Sequence, residues 1–185
     1  MEKETDYKGL IRLFTRSIFI SMIGMIFPFL YILFSSMYVA ESVKEGIIKV
    51  MATLLAVVLL IAGFMGPVQA IVVFTIFGPF ILIFHYMITT KRSVSMTILA
   101  TSLIFFTSIM VLFFAFGINS EVLNSKDTIN SITEFYKNLA GEDILSSGTM
   151  AIFTENVELY YKKFLQILPS VLIITSIVTS YATYT

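Results

Sequence analysis

The stretch from Val50 to Ser120 decides the fold and reads VMATLLAVVLLIAGFMGPVQAIVVFTIFGPFILIFHYMITTKRSVSMTILATSLIFFTSIMVLFFAFGINS. Its only formally charged side chains are the adjacent pair Lys91-Arg92. This pair and the Gly66-Pro67 break separate three apolar runs, at residues 50–65, 70–88 and 94–117. Each run is close to the roughly 20 residues that a helix needs to cross a hydrocarbon layer of about 30 Å. The stretch therefore predicts a polytopic membrane protein.

The composition places the whole chain in the same class. Of the 185 residues, 57% are hydrophobic and 13% are charged, whereas ordinary soluble domains carry about 25% charged residues. Spanning segments form helices or closed barrels because lipid offers backbone groups no hydrogen-bond partner, and no alternating strand pattern occurs here. We therefore expect an all-α transmembrane helix bundle of five to six segments. It should form a single membrane domain over residues 1–185, in contact with the lipid bilayer.

The composition also excludes several function classes. The chain has no Cys, which excludes disulfides, iron–sulfur clusters and thiolate zinc. The 12 basic and 12 acidic residues balance, so nothing suggests a nucleic-acid partner. The sequence contains no P-loop, HExxH or GxSxG motif. We expect no cofactor, no metal and no enzymatic activity, and His85, the single His, is the sole candidate for a catalytic residue inside the membrane.

Residues 10–40 allow two interpretations. Gly24 and Pro28 interrupt the uncharged part of this run, and a proline inside a helix removes a backbone donor. One kinked helix suits the length, because two legs of about 15 residues would each reach only ~23 Å. A short pair that breaks near Pro28 suits the charge, because it places the N-terminal basic cluster and Lys91-Arg92 on one side of the membrane. We prefer the pair and leave the single helix open.

Residues 118–162 differ in character from the apolar runs, since they hold seven acidic residues. Helical spacing of apolar residues over 129–139, after a capping candidate at Asp127, predicts an amphipathic helix. We expect the segment to form an extracytoplasmic loop, because long loops are translocated largely regardless of charge. The uncharged turn at residues 66–69 is expected on the same side.

Small and hydroxyl residues indicate where helices pack. Ala52 and Ala56 lie four residues apart, a spacing that lets another helix approach closely. The last segment, 164–185, carries Pro169 and a polar stripe that we assign to helix packing in preference to a substrate path: Thr175, Ser176, Thr179 and Ser180. A cytoplasmic chain end normally carries basic anchors and none follows Thr185, so we expect a truncated C-terminus.

Five polar side chains near the expected outer mouth are candidates for ligand binding. They are Gln69, Asn119, Glu155, Glu158 and Tyr161. The alternative for each is an ordinary loop residue that faces water. The segment 70–88 holds His85 close to Lys91-Arg92 and is expected to break at Gly78-Pro79.

Three features of residues 91–185 carry a resemblance to a known family. They are the Lys91-Arg92-Ser93 turn ahead of a long apolar helix at 97–116, the acidic helical loop, and the closing run FLQILPSVLIITS at 164–176. In these features the chain resembles the YybS-like family of uncharacterised bacterial integral membrane proteins, and residues 29–46 resemble that family's second helix. The resemblance implies a multi-pass protein of the bacterial cell membrane, with two helices before residue 46.

The expected layout is also similar to that of the substrate-capturing membrane subunits of energy-coupling-factor transporters. That similarity implies a small-molecule-binding or transport-associated subunit without catalytic activity of its own. The alternative is a structural or assembly protein that docks an envelope partner through the acidic outer loop. A fold-level likeness cannot assign a ligand.

Overall fold

The computed structural model describes residues 8–24, 30–145 and 156–185, without the side chains of Ser120 and of residues 136–145. Helices account for 91% of these residues and no strand occurs among them, which confirms the all-α prediction. In chain order the helices are α1 (Lys8–Gly24), α2 (Tyr31–Glu45), α3 (Ile47–Met65), α4 (Pro67–Thr89), α5 (Val94–Ala115), α6 (Ser120–Leu123), α7 (Lys126–Leu145) and α8 (Val157–Tyr184).

Among the described residues, four helices are long and apolar enough to cross a membrane. They are α3, α4, α5 and α8, with 19, 23, 22 and 28 residues. The helices α1 and α2 have 17 and 15 residues, which gives about 26 and 23 Å at about 1.5 Å per residue. A count of five or six segments depends on these two helices and stays a prediction.

The helices α1 and α2 pack side by side in opposite directions. Near the end of α1, the carbonyl oxygen of Ser21 accepts a hydrogen bond from the Tyr31 hydroxyl at the start of α2, at 3.4 Å. At the other end, Gly9 lies against the carboxylate of Glu41. This is the arrangement of a helix pair. The predicted break near Pro28 lies outside the described residues.

Single glycines join α2 to α3 and α3 to α4. Gly46 and Gly66 have φ angles of 91° and 100°, a left-handed region that residues with a Cβ rarely adopt. Each glycine ends one helix and precedes the first residue of the next. The turn predicted over residues 66–69 is therefore only one residue long. Pro67 begins α4, where its missing N–H would have had no partner in the helix.

The predicted break at Gly78-Pro79 is wrong. Helix α4 runs without interruption from Pro67 to Thr89, with Pro79 inside it. A proline at this position frees the carbonyl of Thr75, four residues earlier. Transmembrane helices tolerate such prolines because neighbouring helices and local adjustments satisfy the freed group.

The chain divides into two compact units, residues 1–112 with 173–185, and residues 113–172. Helix α8 contributes to both, and the single-domain prediction stays a prediction. In the first unit the direction of the chain alternates from α1 to α4. Thus α2 and α4 run in parallel, as shown by the contact of Phe34 with Phe77 (5.2 Å between ring centroids) and of Ser42 with His85.

Aromatic rings form the centre of the first unit. Phe34 stacks on Tyr38 with ring centroids 4.7 Å apart, and Phe80 meets Phe105 of α5 edge to face at 5.5 Å. Phe34, Tyr38 and Phe80 are wholly buried. Offset and edge-to-face contacts of this kind contribute about 0.5–1.5 kcal/mol each beyond the burial of area. The core therefore holds α2, α4 and α5 together.

The second unit contains the end of α5, the short helix α6, helix α7 and the first part of α8. The N-terminus of α7 is capped by Ser125, whose Oγ accepts a hydrogen bond from the N–H of Thr128 at 3.2 Å. Asp127, the predicted cap, lies in the first turn instead. A serine can take the cap because its short side chain reaches the third residue of the helix.

Candidate functional site

The described charges of the first unit lie toward one end of its helices. They comprise seven basic and two acidic residues, at the start of α1, around Gly46 and after α4: Lys8, Arg12, Arg16, Glu41, Lys44, Glu45, Lys49, Lys91 and Arg92. Two ion pairs join Glu41 to Lys44 and Glu45 to Lys49, at 4.0 and 3.9 Å. The opposite end, around Gly24 and Gly66, carries no charge among the described residues. One end of the unit is therefore basic, and the other is neutral.

The end of α4 presents the basic pair Lys91-Arg92 in a fixed geometry. The Arg92 N–H donates to the carbonyl of Met87 and the Lys91 N–H to that of Ile88, both at 3.0 Å. These two hydrogen bonds form a Schellman motif, which places Lys91 at the position where glycine is usual. Its φ of 54° is left-handed. The chain keeps a lysine here at a conformational cost of about 1–2 kcal/mol.

His85, the candidate catalytic residue, is engaged with α2. Its Nδ1 lies 3.0 Å from the Oγ of Ser42, which is wholly buried. The Ser42 hydroxyl donates to the carbonyl of Val39 at 2.7 Å. His85 is half-buried, and the contact gives one of its two ring nitrogens a hydrogen-bond partner inside the bundle. The arrangement links α2 to α4 and resembles a packing contact more than a nucleophile and its base.

A cleft of about 410 Å³ separates α1 from α3, away from the basic end. Its lining is apolar except for one hydroxyl: Ile18, Ser21, Met22, Leu60, Ile61, Phe64 and Met65. Met22 and Phe64 are exposed and form the open side, with 85% of Phe64 accessible. Small-molecule pockets typically span about 300–1,000 Å³ and are lined mainly by apolar side chains. The cleft meets both criteria.

Ser21 is the polar feature of this cleft. The side chain is buried, and within the described part of the chain its Oγ has no hydrogen-bond partner. A buried hydroxyl without a partner costs about 1–3 kcal/mol. Sequence reasoning missed Ser21, since a lone serine in an apolar leg resembles any helix hydroxyl. The only available signal was its i, i+4 spacing from Ser17, which is also buried.

Apart from the hydroxyl of the buried Tyr38, serine and threonine supply the buried polar groups of the side chains that the structure describes. Several of them donate to a carbonyl of their own helix, as Ser17 does to Leu13 at 2.7 Å. One pair crosses between helices, because the hydroxyls of Ser35 and Thr183 lie 2.8 Å apart. The hydroxyl of Ser180 is buried without a partner in the described part, and the buried hydroxyl of Tyr38 lies near that of Ser17. Hydrogen bonds between helices, such as that of Ser35 with Thr183, hold helices together inside a membrane, where there is no water.

The predicted packing residues divide into buried and exposed groups. Ser176, Thr179 and Ser180 are buried, whereas Thr175 is exposed. Ala52 and Ala56 are also exposed, on the border of a shallow groove between α3 and α1. The packing role predicted for these six residues stays a prediction, and the burial of Ser176, Thr179 and Ser180 agrees with it.

The predicted ligand-binding residues occupy separate elements. Gln69 is exposed in the first turn of α4, in the first unit. Asn119, in the second unit, caps α6 by accepting a hydrogen bond from the Val122 N–H at 2.9 Å. Glu155 lies outside the described residues. The positions of these residues do not test the prediction that they bind a ligand, which stays a prediction.

Glu158 and Tyr161 lie in the first turns of α8, ahead of its apolar part, which begins at Phe164. Glu158 is exposed, and its carboxylate accepts a hydrogen bond from the Lys162 ammonium at 2.6 Å. Exposed ion pairs of this kind add little to stability, because water screens them. Glu158 thus has a partner in its own helix. No cluster of three metal-ligating side chains occurs among the residues whose positions are described.

Comparisons with known proteins identify a family. The family model described as "Predicted membrane protein (DUF2232)" matches residues 10–185. Neither the curated proteins nor the solved structures include a match to this chain. The family match agrees with the prediction of a membrane-protein family in general terms. The YybS-like resemblance and the similarity to energy-coupling-factor subunits stay predictions.

Proposed function

We propose, from the premise that the chain belongs to the membrane-protein family DUF2232, that it is a small-molecule-binding, transport-associated subunit without catalytic activity of its own. The ligand is an apolar molecule with one neutral polar group, bound in the cleft between α1 and α3. The observation that carries the proposal is this cleft of about 410 Å³ with the unpartnered hydroxyl of Ser21 in its wall.

The cleft lining suits such a ligand. Six of the seven lining side chains are apolar, so the apolar part of such a ligand meets matching surface and van der Waals contacts. The Ser21 hydroxyl is buried beneath the surface of the cleft, so a small displacement of α1 or α3 would have to expose it to a ligand hydroxyl or carbonyl. The hydrogen bond would then remove the cost of an isolated buried hydroxyl. A charged ligand group would find no counter-charge in the lining, so the polar group should be neutral.

The same lining supports a binding role in preference to catalysis. Nucleophilic catalysis by a serine requires an adjacent base, and no lining residue can serve as one. His85 lies on α4 and is already bonded to Ser42. The proposal therefore assigns the protein recognition of a ligand and leaves chemistry or energy supply to a partner.

The absence of Trp from the chain permits a direct test. Phe64→Trp places a single fluorophore at the rim of the cleft, and Leu59→Trp places one on the same helix, 72% exposed and outside the cleft. Bromine quenches indole on contact, so 12-bromododecanol in detergent serves as the probe. We expect saturable quenching of the Phe64→Trp variant and only linear, unsaturable quenching of the control. Equal, unsaturable quenching of both would overturn the proposal.

Ser21→Ala tests the polar contact. It should weaken 12-bromododecanol binding by roughly five- to tenfold, which corresponds to the loss of about one hydrogen bond of 1–1.5 kcal/mol. Binding of 1-bromododecane, which lacks the hydroxyl, should not change. An equal effect on both probes would mean that Ser21 acts only through packing.

A docking role for the outer segment is the alternative function. It is favoured by Phe135 of α7, a helix of the second unit, whose side chain is 60% exposed. Large exposed aromatic residues mark protein interfaces when they belong to a contiguous apolar patch. The two functions differ in one respect. Docking requires that Phe135→Asp releases an envelope partner, whereas ligand binding in the α1–α3 cleft does not depend on Phe135.

A further inference from the structure

A second pocket lies between α1 and α2 at the basic end of the first unit. It encloses about 170 Å³, and its charged lining residues are Arg12 and Arg16 from α1 with Glu41 and Lys44 from α2. Unlike the α1–α3 cleft, it exposes as much polar as apolar surface. This pocket is independent of the proposed function, because the two pockets share no lining residue.

Within the described part of the chain, neither arginine of this pocket forms an ion pair. No described carboxylate lies within 4.0 Å of either guanidinium, since the ion pairs of the described residues all involve lysines. Residues four apart on a helix have Cβ atoms about 6 Å from each other, and like charges at this spacing repel and destabilise the helix. An anion between Arg12 and Arg16 would turn this repulsion into two attractive contacts.

The single carboxylate of this pocket, that of Glu41, does not balance its three basic side chains. Its carboxylate is 4.0 Å from the ammonium of Lys44 and is pressed against α1 at Gly9, where an added Cβ would lie only 2.5 Å from Oε1. The carboxylate is thereby held between Lys44 and the α1 backbone. Three cations and one anion line the pocket, so its charge favours an anionic ligand.

We propose that this pocket binds a phosphate group, presented by a phospholipid headgroup or by a soluble phosphate ester. Arginine fits phosphate because its planar guanidinium donates two parallel N–H bonds to neighbouring oxygens. The small volume fits a phosphate with part of its ester, and not a long polyanion. The basic end is where the positive-inside rule places the cytoplasmic surface, at which anionic headgroups and soluble phosphate esters are both present.

The test removes the two guanidinium groups and compares the effect with an equal loss of charge elsewhere. The test variant is Arg12→Gln/Arg16→Gln, and the matched control is Lys91→Gln/Arg92→Gln at the same end but outside the pocket. The full chain is purified in a maltoside detergent, which contains no phosphate. Native mass spectrometry measures dioleoyl phosphatidylglycerol binding, and a thermal melt measures stabilisation by inorganic phosphate against chloride of equal ionic strength.

The outcomes separate the sources. A lipid headgroup site predicts that the test variant binds phosphatidylglycerol about tenfold more weakly, as the loss of charge-assisted hydrogen bonds implies, and that the control binds normally. A soluble-ester site predicts that inorganic phosphate raises the melting temperature of the control but not of the test variant. Equal lipid binding by both variants, with no specific effect of phosphate, would overturn the proposal.

A further variant distinguishes a site that depends on the paired N–H donors of arginine from one that depends only on positive charge. Arg12→Lys/Arg16→Lys keeps both charges but cannot donate two parallel bonds from one group. Partial recovery of binding supports the phosphate site, whereas full recovery reduces the pocket to a general attraction for anions. Both arginine side chains are exposed, so the variants should fold. Far-ultraviolet circular dichroism and elution as a single species in size-exclusion chromatography check independently that they do.

Discussion

Ser42 and His85 form a polar contact between α2 and α4. Because the Ser42 hydroxyl donates to the Val39 carbonyl, we assign the Nδ1–H of His85 as the donor to the Ser42 oxygen. The sequence identifies His85 as the single histidine but not its partner, since 43 residues separate the two and no local pattern relates them.

Substitutions of His85 should separate the hydrogen bond from the volume of the ring. His85→Leu should lower the free energy of unfolding by about 1–3 kcal/mol, because it leaves the buried Ser42 oxygen without its donor. His85→Asn should cost less, because its amide N–H lies near the position of Nδ1–H. Denaturant titration in detergent measures both. In a Ser42→Ala background the difference should vanish, and a difference that persists there would contradict the assignment.

At the scale of the element, α8 shows what helical periodicity can and cannot predict about which side chains are buried. The polar stripe is visible in the sequence, but successive residues on a helix point about 100° apart. Thr175 and Ser176 therefore cannot both face the same neighbour, and the structure buries Ser176. Nor could the sequence show that Thr183 meets Ser35, because that contact depends on which helix lies beside α8. Ala52 and Ala56 show the same limit, since the sequence gives their spacing but not which helix would face them.

The hydroxyl pair between α2 and α8 should show energetic coupling. In a double-mutant cycle, Ser35→Ala and Thr183→Val should couple by about 0.6 kcal/mol, with roughly 1.7 kcal/mol as the upper limit for such bonds in membranes. Steric trapping or SDS titration measures the four unfolding free energies. Ser36→Ala is the matched control, because its hydroxyl bonds to Ile32 in its own helix at 3.0 Å. Coupling between Ser36 and Thr183 as large as that of Ser35 would contradict this assignment.

At the scale of the molecule, charge and hydropathy predicted the positions of the long helices better than they predicted the connections between helices. Runs of uncharged residues are enough to locate α3, α4, α5 and α8, because hydrophobic length is a property of the sequence alone. The turns were predicted less well. Residues 66–69 suggested a four-residue loop, whereas Gly66 alone makes the connection. The cleft beside Ser21 could not be predicted at all, because it arises from two helices that are distant in the sequence.

The asymmetry of charge predicts the orientation of the first unit. Basic residues stay on the cytoplasmic side, so Ser93 should face the cytoplasm and Gln69 the exterior; both are exposed and the chain has no Cys. Single cysteines at these positions should react with an impermeant maleimide from opposite sides of inverted and right-side-out vesicles. Labelling of both cysteines from the same side would contradict two expectations: that α4 crosses the membrane, and that the basic end faces the cytoplasm.

The one-residue connections at Gly46 and Gly66 have a mechanical consequence. Each keeps the end of α3 close to its neighbour, because one residue of chain spans only about 3.6 Å. The glycine leaves the angle between the two helices free to change but gives the joined ends almost no room to move apart. Helix α3 is tethered in this way at both ends, whereas no such one-residue connection joins α3 to α1. Admission of a ligand would then require α1 to move away from a helix that its neighbours hold in place.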